Sequence, residues 1–164
     1  MSNWKTSRTL LIVGEGETEV AFLNHVKGIY APRGCGLKVT IKNAHGKGAR
    51  HVVEMAARHS RAADYDTVAV LLDTDQDWSD AVAKKARDLK IRVLKSEPFF
   101  EAVLLRLIGE SDNGDSKALK TRLAPFVGNN SLVSKNYAMR FDRYCLESRR
   151  TSEKMIEELL DLFS

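Results

Sequence analysis

Short apolar runs alternate with amphipathic segments along the first two thirds of the chain. Between these runs, apolar residues recur at helical spacing, as do Val20, Leu23 and Val26. Strands that alternate with helices of roughly 10–15 residues predict a parallel sheet with right-handed crossovers and helices on both faces. The runs with the length and composition of β-strands are Thr9–Val13, Leu37–Asn43, Thr67–Leu72 and Ile91–Leu94.

Capping residues and prolines set the expected helix boundaries. Thr18 is expected to cap the first helix and Ser79 the third, and Pro98 is expected in the first turn of a helix that runs to Gly109. A polar loop is expected over Glu110–Ser116. The remaining helices are predicted over Ala49–Ala63, Asp80–Leu89, Lys117–Phe126 and Glu153–Phe163.

These elements predict an α/β fold with a parallel four-stranded Rossmann-like sheet, helices on both of its faces and a helical C-terminal third. A chain of 164 residues fits one domain of ordinary size. We therefore expect residues 1–164 to form a single domain, with a core over about 8–108 and a helical extension over about 109–164.

Composition narrows the class of protein. Apolar residues make up 43% and charged residues 29%, a balance typical of soluble globular proteins, and no apolar run approaches the roughly 20 residues of a membrane span. The polar start of the chain, Met1 to Arg8, lacks the apolar core of a secretory signal. Cys35 and Cys145 show no zinc-site spacing. We expect a cytoplasmic protein without membrane, thiol or zinc chemistry.

Charge is unevenly distributed along the chain. Residues 33–61 contain seven Lys/Arg against one acid, residues 117–150 contain eight against two, and residues 62–82 contain six aspartates and no Lys or Arg. Basic segments on either side of an acidic centre suit a polyanion held electrostatically while carboxylates act on it. An ordinary mixed surface is the alternative.

Two acidic clusters follow predicted strands. Glu15 and Glu19 come after the first strand, and Asp73 and Asp75 after the third. If these strands are neighbours, the carboxylates meet at one edge of the sheet, where function collects in open parallel sheets. Crowded carboxylates favour a hard cation such as Mg²⁺ or Mn²⁺, which implies phosphoryl transfer or phosphodiester cleavage. The alternative is that these acids cap the helices that follow them.

Further candidates surround these clusters. Asp77 and Glu101 are candidates for a second metal ion, although Asp77 also fits a turn and Glu101 also fits the positive end of its own helix. The segment His45–Arg50 follows the second strand and opens a helix, so its N–H groups, Lys47 and Arg50 are candidates for binding phosphate or nucleic acid. A plain flexible turn is the alternative.

Two motifs resemble those of Toprim domains. The sequence Leu11-Ile12-Val13-Gly14-Glu15-Gly16-Glu17-Thr18-Glu19 resembles their first motif, and Leu71-Leu72-Asp73-Thr74-Asp75 their Asp-x-Asp motif. The resemblance implies a Toprim-type sheet and a divalent metal, with catalytic roles for Glu15, Asp73 and Asp75.

Among Toprim-like proteins, the chain resembles the RloB-like family of bacterial defence-associated proteins. The Glu15–Glu19 string is one residue shorter than that family's opening motif, and Glu97-Pro98-Phe99-Phe100-Glu101 resembles its Asn-Pro-x-Phe-Glu helix with glutamate in place of asparagine. This resemblance implies a nuclease or phosphotransferase acting on DNA or RNA, possible phage defence and a partner ATPase.

Two other functions fit the same residues. A receiver-like regulatory domain also places acids after its first and third strands and a Ser/Thr after its fourth, which Glu15, Asp73 and Ser96 imitate, but it needs a fifth strand ending in lysine. A Toprim-like module that binds nucleic acid without cutting it is the other alternative.

Overall fold

The sheet contains four parallel strands, as the sequence predicts. A computed structural model describes residues 7–164, so most of the polar N-terminal segment, Met1 to Thr6, lies outside the described residues. The order of the strands is β2-β1-β3-β4, which makes β1 and β3 neighbours. The strands are β1 (Arg8–Gly14), β2 (Leu37–Asn43), β3 (Thr67–Asp73) and β4 (Ile91–Ser96).

Seven α-helices surround and extend the sheet in residues 7–164. The first three connect successive strands, and the last four follow β4. Two short 3-10 helices lie at Ala124–Val127 and Ser134–Tyr137. The α-helices are α1 (Glu17–Tyr30), α2 (Gly48–Ala62), α3 (Asp80–Asp88), α4 (Phe100–Leu107), α5 (Ser116–Leu123), α6 (Arg143–Ser148) and α7 (Lys154–Leu162). Across the described residues, every helix is too short or too polar to cross a bilayer.

Alternate side chains of the strands enter two separate cores. Leu10 and Ile12 pack with α1, α4 and the C-terminal helices on one face of the sheet. Leu11 and Val13 pack with α2 and α3 on the other face. This alternation follows from the two-residue repeat of a strand, and it confirms an α/β sheet covered on both faces. The buried residues of the C-terminal third belong to the same core as α1.

Two predicted helix starts are wrong. Gly16, not Thr18, occupies the position before α1, and the Thr18 hydroxyl instead lies 3.4 Å from that of Ser131. The α4 helix begins at Phe100, so Pro98 lies outside it. The Pro98 carbonyl accepts a hydrogen bond of 3.2 Å from the Thr74 N–H, which holds this segment against the end of β3.

The C-terminal third departs further from the predicted boundaries. The α5 helix ends at Leu123 rather than Phe126, because Pro125 cannot continue an α-helix and the chain tightens into a 3-10 turn. The α6 helix was not predicted, although Asp142 caps it by accepting a hydrogen bond from the Cys145 N–H. The predicted Ser79 cap of α3 is confirmed, with 3.2 Å between the hydroxyl and the Val82 N–H.

Candidate metal centre

Three carboxylates meet at the carboxyl edge of β1 and β3. Glu15 follows β1, Glu19 lies in the first turns of α1, and Asp73 ends β3. One carboxylate oxygen from each lies within 4.8 Å of the other two. This convergence depends on β1 and β3 being adjacent, because their ends then open on the same side of the sheet.

Backbone contacts fix the turn that brings Glu15 and Glu19 together. The Glu15 N–H donates to the Leu71 carbonyl at 3.0 Å, and a Glu15 carboxylate oxygen accepts from the Asp73 N–H at 2.8 Å. Gly14 allows α1 to start close by, since a Cβ placed there would lie 3.2 Å from the Glu19 Cβ. The turn therefore orients both glutamates towards Asp73.

Burial and mutual repulsion disfavour the state in which all three carboxylates are ionised. Burial raises the pKa of Asp73 to about 9, and the charges of Glu19 and Glu15 add to the shift. Burial also raises the pKa of Glu19 to about 7, with Glu101 and Glu15 contributing. The pKa of Glu15 is raised by burial, against the hydrogen bond from Asp73 that lowers it.

The donor set fits a hard divalent cation. All three groups offer carboxylate oxygens, which suit magnesium, manganese or calcium rather than a soft metal. The Oδ1 atom of Asp73 is buried without a hydrogen-bond partner among the described residues. A bound cation would provide the interaction that this atom lacks and offset the repulsion within the cluster.

Two more predicted site residues lie around the three carboxylates. Asp75 is exposed and is not one of the three convergent groups, but its charge raises the pKa of Glu15, Asp73 and Glu101. Glu101 is only 7% exposed on α4, and its charge raises the pKa of Glu15, Glu19 and Asp73. Both residues therefore add negative potential to the metal centre.

Asp77 lies against the start of α2. A Cβ placed on Gly48 would come within 2.9 Å of the Asp77 Cβ, so these two segments are in close contact. Asp77 is not among the residues whose charges shift the pKa of Glu15, Glu19 or Asp73. Its assignment to a second metal stays a prediction.

The loop that carries Lys47 lies beside the metal centre. The Gly46 N–H donates to the Glu15 carbonyl at 2.7 Å, and the His45 N–H donates to the Asn43 side chain at 2.8 Å. The Ala49 N–H also donates to the Gln76 carbonyl, at 3.5 Å, so three backbone donors of the predicted phosphate loop are used within the protein. Lys47 and Arg50 remain exposed, so phosphate recognition would depend mainly on their side chains.

Sequence analysis does not identify one residue near the site, Tyr137. Its side chain is fully buried, and its hydroxyl donates to the Ser131 carbonyl at 2.6 Å. Burial raises its pKa, and the charges of Glu19 and Glu101 raise it further. Tyr137 lies more than a hundred residues from Glu19 in the sequence and follows an irregular segment, so no local pattern connected the two.

Comparison with known proteins identifies the family. No curated protein and no solved structure matches the chain. A family model described as RloB-like protein matches residues 10–157, which include the acidic cluster and most of the C-terminal third. The chain therefore belongs to the RloB-like protein family.

Proposed function

We propose that this protein is a divalent-metal-dependent nuclease, or a related phosphotransferase, of Toprim type. The observation that carries the proposal is the convergence of Glu15, Glu19 and Asp73, with the unpaired buried oxygen of Asp73 among them. Hard oxygen ligands favour Mg²⁺ or Mn²⁺, and either ion would stabilise the charge that develops on a phosphate during cleavage.

Each carboxylate has a distinct part in this proposal. Asp73 and Glu19, the more buried pair, hold the metal. Glu15 is oriented by the Asp73 N–H, which leaves it placed to contact the metal and to move a proton at the scissile phosphate. Asp75 is exposed at the rim of the carboxylate cluster, from where it would contact the metal through a bound water molecule.

The substrate in this proposal is DNA or RNA. Lys47 and Arg50 lie on and beside the loop that contacts the Glu15 carbonyl, so a phosphate backbone that reaches the acids passes near two cations. The resemblance to defence-associated proteins further suggests phage defence and a partner ATPase, on which cleavage would depend.

The test is cleavage of labelled DNA and RNA by the wild type and by Glu15→Gln, with Mg²⁺ or Mn²⁺ and with or without the partner ATPase. We expect the variant to lose about 10²-fold or more in cleavage rate with little loss of substrate affinity, because a positioned acid/base acts in the transition state. Glu17→Gln is the matched control, since Glu17 is exposed in the same turn and outside the cluster.

The opposite result favours a module that binds without cutting. Nucleic-acid binding without metal-dependent cleavage, identical in wild type and Glu15→Gln, would lead to that alternative. The receiver-like alternative lacks its fifth strand in residues 7–164, and Ser96 is fully buried at the end of β4.

A further inference from the structure

A cavity of about 370 Å³ lies beside the metal centre. Its walls come from the start of α1, from α4 and α5, and from the loop around residue 131. Leu123, Val127 and Leu132 supply apolar walls, while Glu101 and Lys120 supply opposite charges. Cavities of roughly 300–1,000 Å³ with apolar walls and a few polar groups are typical small-molecule sites.

The cavity and the metal centre are adjacent. Glu101 lines the cavity from the first turn of α4, next to Phe100, whose ring centroid lies 5.4 Å from that of Phe22 on α1. Thr18, which also lines it, is the neighbour of Glu19 in the sequence. A ligand in the cavity would therefore lie next to whatever group is bound at the carboxylates.

Hydrogen bonds hold the outer wall of the cavity in place. The Ser131 carbonyl accepts from Tyr137 at 2.6 Å, and the Asn130 carbonyl accepts from the Asn136 side chain at 2.9 Å. The Ser131 hydroxyl lies 3.4 Å from that of Thr18 on α1. The wall is thus built before any ligand arrives, which lowers the entropic cost of binding.

We propose that this cavity holds one unpaired base of the nucleic-acid strand whose phosphate lies at the metal centre, so that the substrate is single-stranded or looped at that point. The inference rests on the proposed nuclease function. The apolar walls suit the faces of a base, and Glu101, Lys120 and Asn129 can pair with its polar edge. A base within a duplex would first have to leave its stack.

The proposal predicts that affinity depends on one particular base. Binding of a labelled single strand is measured by fluorescence anisotropy with Ca²⁺, and compared with strands that carry one abasic residue at successive positions. We expect one position at which removal of the base weakens wild-type binding about 10-fold, towards the lower end of the range for bases stacked on aromatic side chains, because the apolar walls here are aliphatic. A duplex of the same sequence is expected to bind more weakly and to be cleaved more slowly.

Variants assign that base to the cavity. Leu132→Ala and Lys120→Ala should bind the intact strand more weakly than wild type does. On the abasic strand that weakens wild-type binding, both variants should bind about as tightly as wild type, because the contact that they remove is already absent. The matched controls are Met139→Ala, an exposed apolar residue outside the cavity, and Lys84→Ala, an exposed cation on α3 that lies outside both basic segments. Both controls are expected to behave as wild type.

Two results overturn the proposal in different ways. The first result is metal-dependent cleavage by wild type with no abasic position that weakens binding, or a loss of affinity in Leu132→Ala that is equally large on the intact and the abasic strand. In either case the cavity holds no base, and the nuclease function stands. If wild type shows no metal-dependent cleavage of any strand, with or without the ATPase, the proposed function fails and this inference fails with it.

Discussion

At Asp73, burial and repulsion by neighbouring carboxylates act on the same side chain. Asp73 ends β3 with one carboxylate oxygen buried and unpaired among the described residues, and it faces the carboxylates of Glu15 and Glu19. A solvated aspartate avoids all of these costs. This position therefore lowers the stability of the fold and creates a local negative potential, a combination typical of binding and catalytic sites.

The raised pKa of Asp73 makes stability depend on pH. A carboxyl that holds its proton more tightly when folded stabilises the fold at low pH. That stability is lost as pH rises from the unfolded pKa towards the folded value of about 9. Between pH 5 and pH 9, we expect the free energy of unfolding of the metal-free protein to fall as pH rises. The slope is at most about 1.4 kcal/mol per pH unit for each proton that is bound in the folded state but not in the unfolded state. Urea unfolding at several pH values, with EDTA present, measures this.

Asp73→Asn should reduce the slope of that pH profile, leaving the part that Glu15, Glu19 and Glu101 contribute through their own raised pKa, and it should also lose the stabilisation by Mg²⁺ that we expect for wild type. A hundredfold excess of ligand over its dissociation constant stabilises by about 2.7 kcal/mol. Asp64→Asn is the control, because Asp64 is exposed in the loop before β3. If wild type and Asp73→Asn respond equally to pH and to Mg²⁺, Asp73 is not a ligand.

At the scale of elements, the entry into α2 is the most constrained connection near the site. Four successive residues, His45 to Gly48, have positive φ values between 59° and 85°. Two of them, His45 and Lys47, are not glycine, which is uncommon in such a conformation. The loop is tied to the Glu15 carbonyl through Gly46 and packs against Asp77 through Gly48. Its shape therefore positions Lys47 beside the acids.

The two glycines of this loop provide a matched pair of substitutions. Gly46→Ala should lose about 1 kcal/mol, the cost of placing a Cβ at positive φ in open space. Gly48→Ala has the same backbone cost and adds a contact of 2.9 Å with the Asp77 Cβ, so we expect a further loss of roughly 1–3 kcal/mol. Urea unfolding compares them, and equal losses would mean that the Asp77 loop moves aside freely.

The features of the fold and the site that depend on neighbouring residues in the sequence could be predicted. Apolar runs located all four strands, and the motif order placed Glu15 and Asp73 at strand ends that the structure brings together. The start of α1 was misplaced because a tight glycine turn, rather than the Thr18 hydroxyl, begins the helix. The wall formed by Ser131 and Tyr137 escaped prediction because its contacts with α1 span more than a hundred residues of sequence.

At the scale of the whole molecule, two basic segments flank one acidic edge. The first, residues 33–61, forms β2 and α2 and includes the Lys47 loop, while the second, residues 117–150, forms α5, α6 and the cavity wall. Asp73, Asp75 and Glu101 lie between the two segments in the sequence, whereas Glu15 and Glu19 precede both, and Glu15 and Asp73 lie at the ends of the two central strands. Such an arrangement suits a polyanion that is attracted by the basic segments and guided towards the carboxylate cluster.

This arrangement predicts that nucleic-acid binding weakens steeply with salt, because each cation that contacts a phosphate releases a counterion. Lys47→Ala/Arg50→Ala should weaken binding about equally across sequences. It should also reduce the slope of log affinity against log salt by about 0.7 per contact on a single strand and about 0.9 on a duplex. Anisotropy titrations over a range of NaCl concentrations measure both effects.

Lys84→Ala/Lys154→Ala is the matched control: it removes two charges as well, from exposed side chains that pair with Asp88 and Glu158. If the control lowers the slope as much as Lys47→Ala/Arg50→Ala does, the attraction comes from net charge alone and the Lys47 loop does not contact the strand.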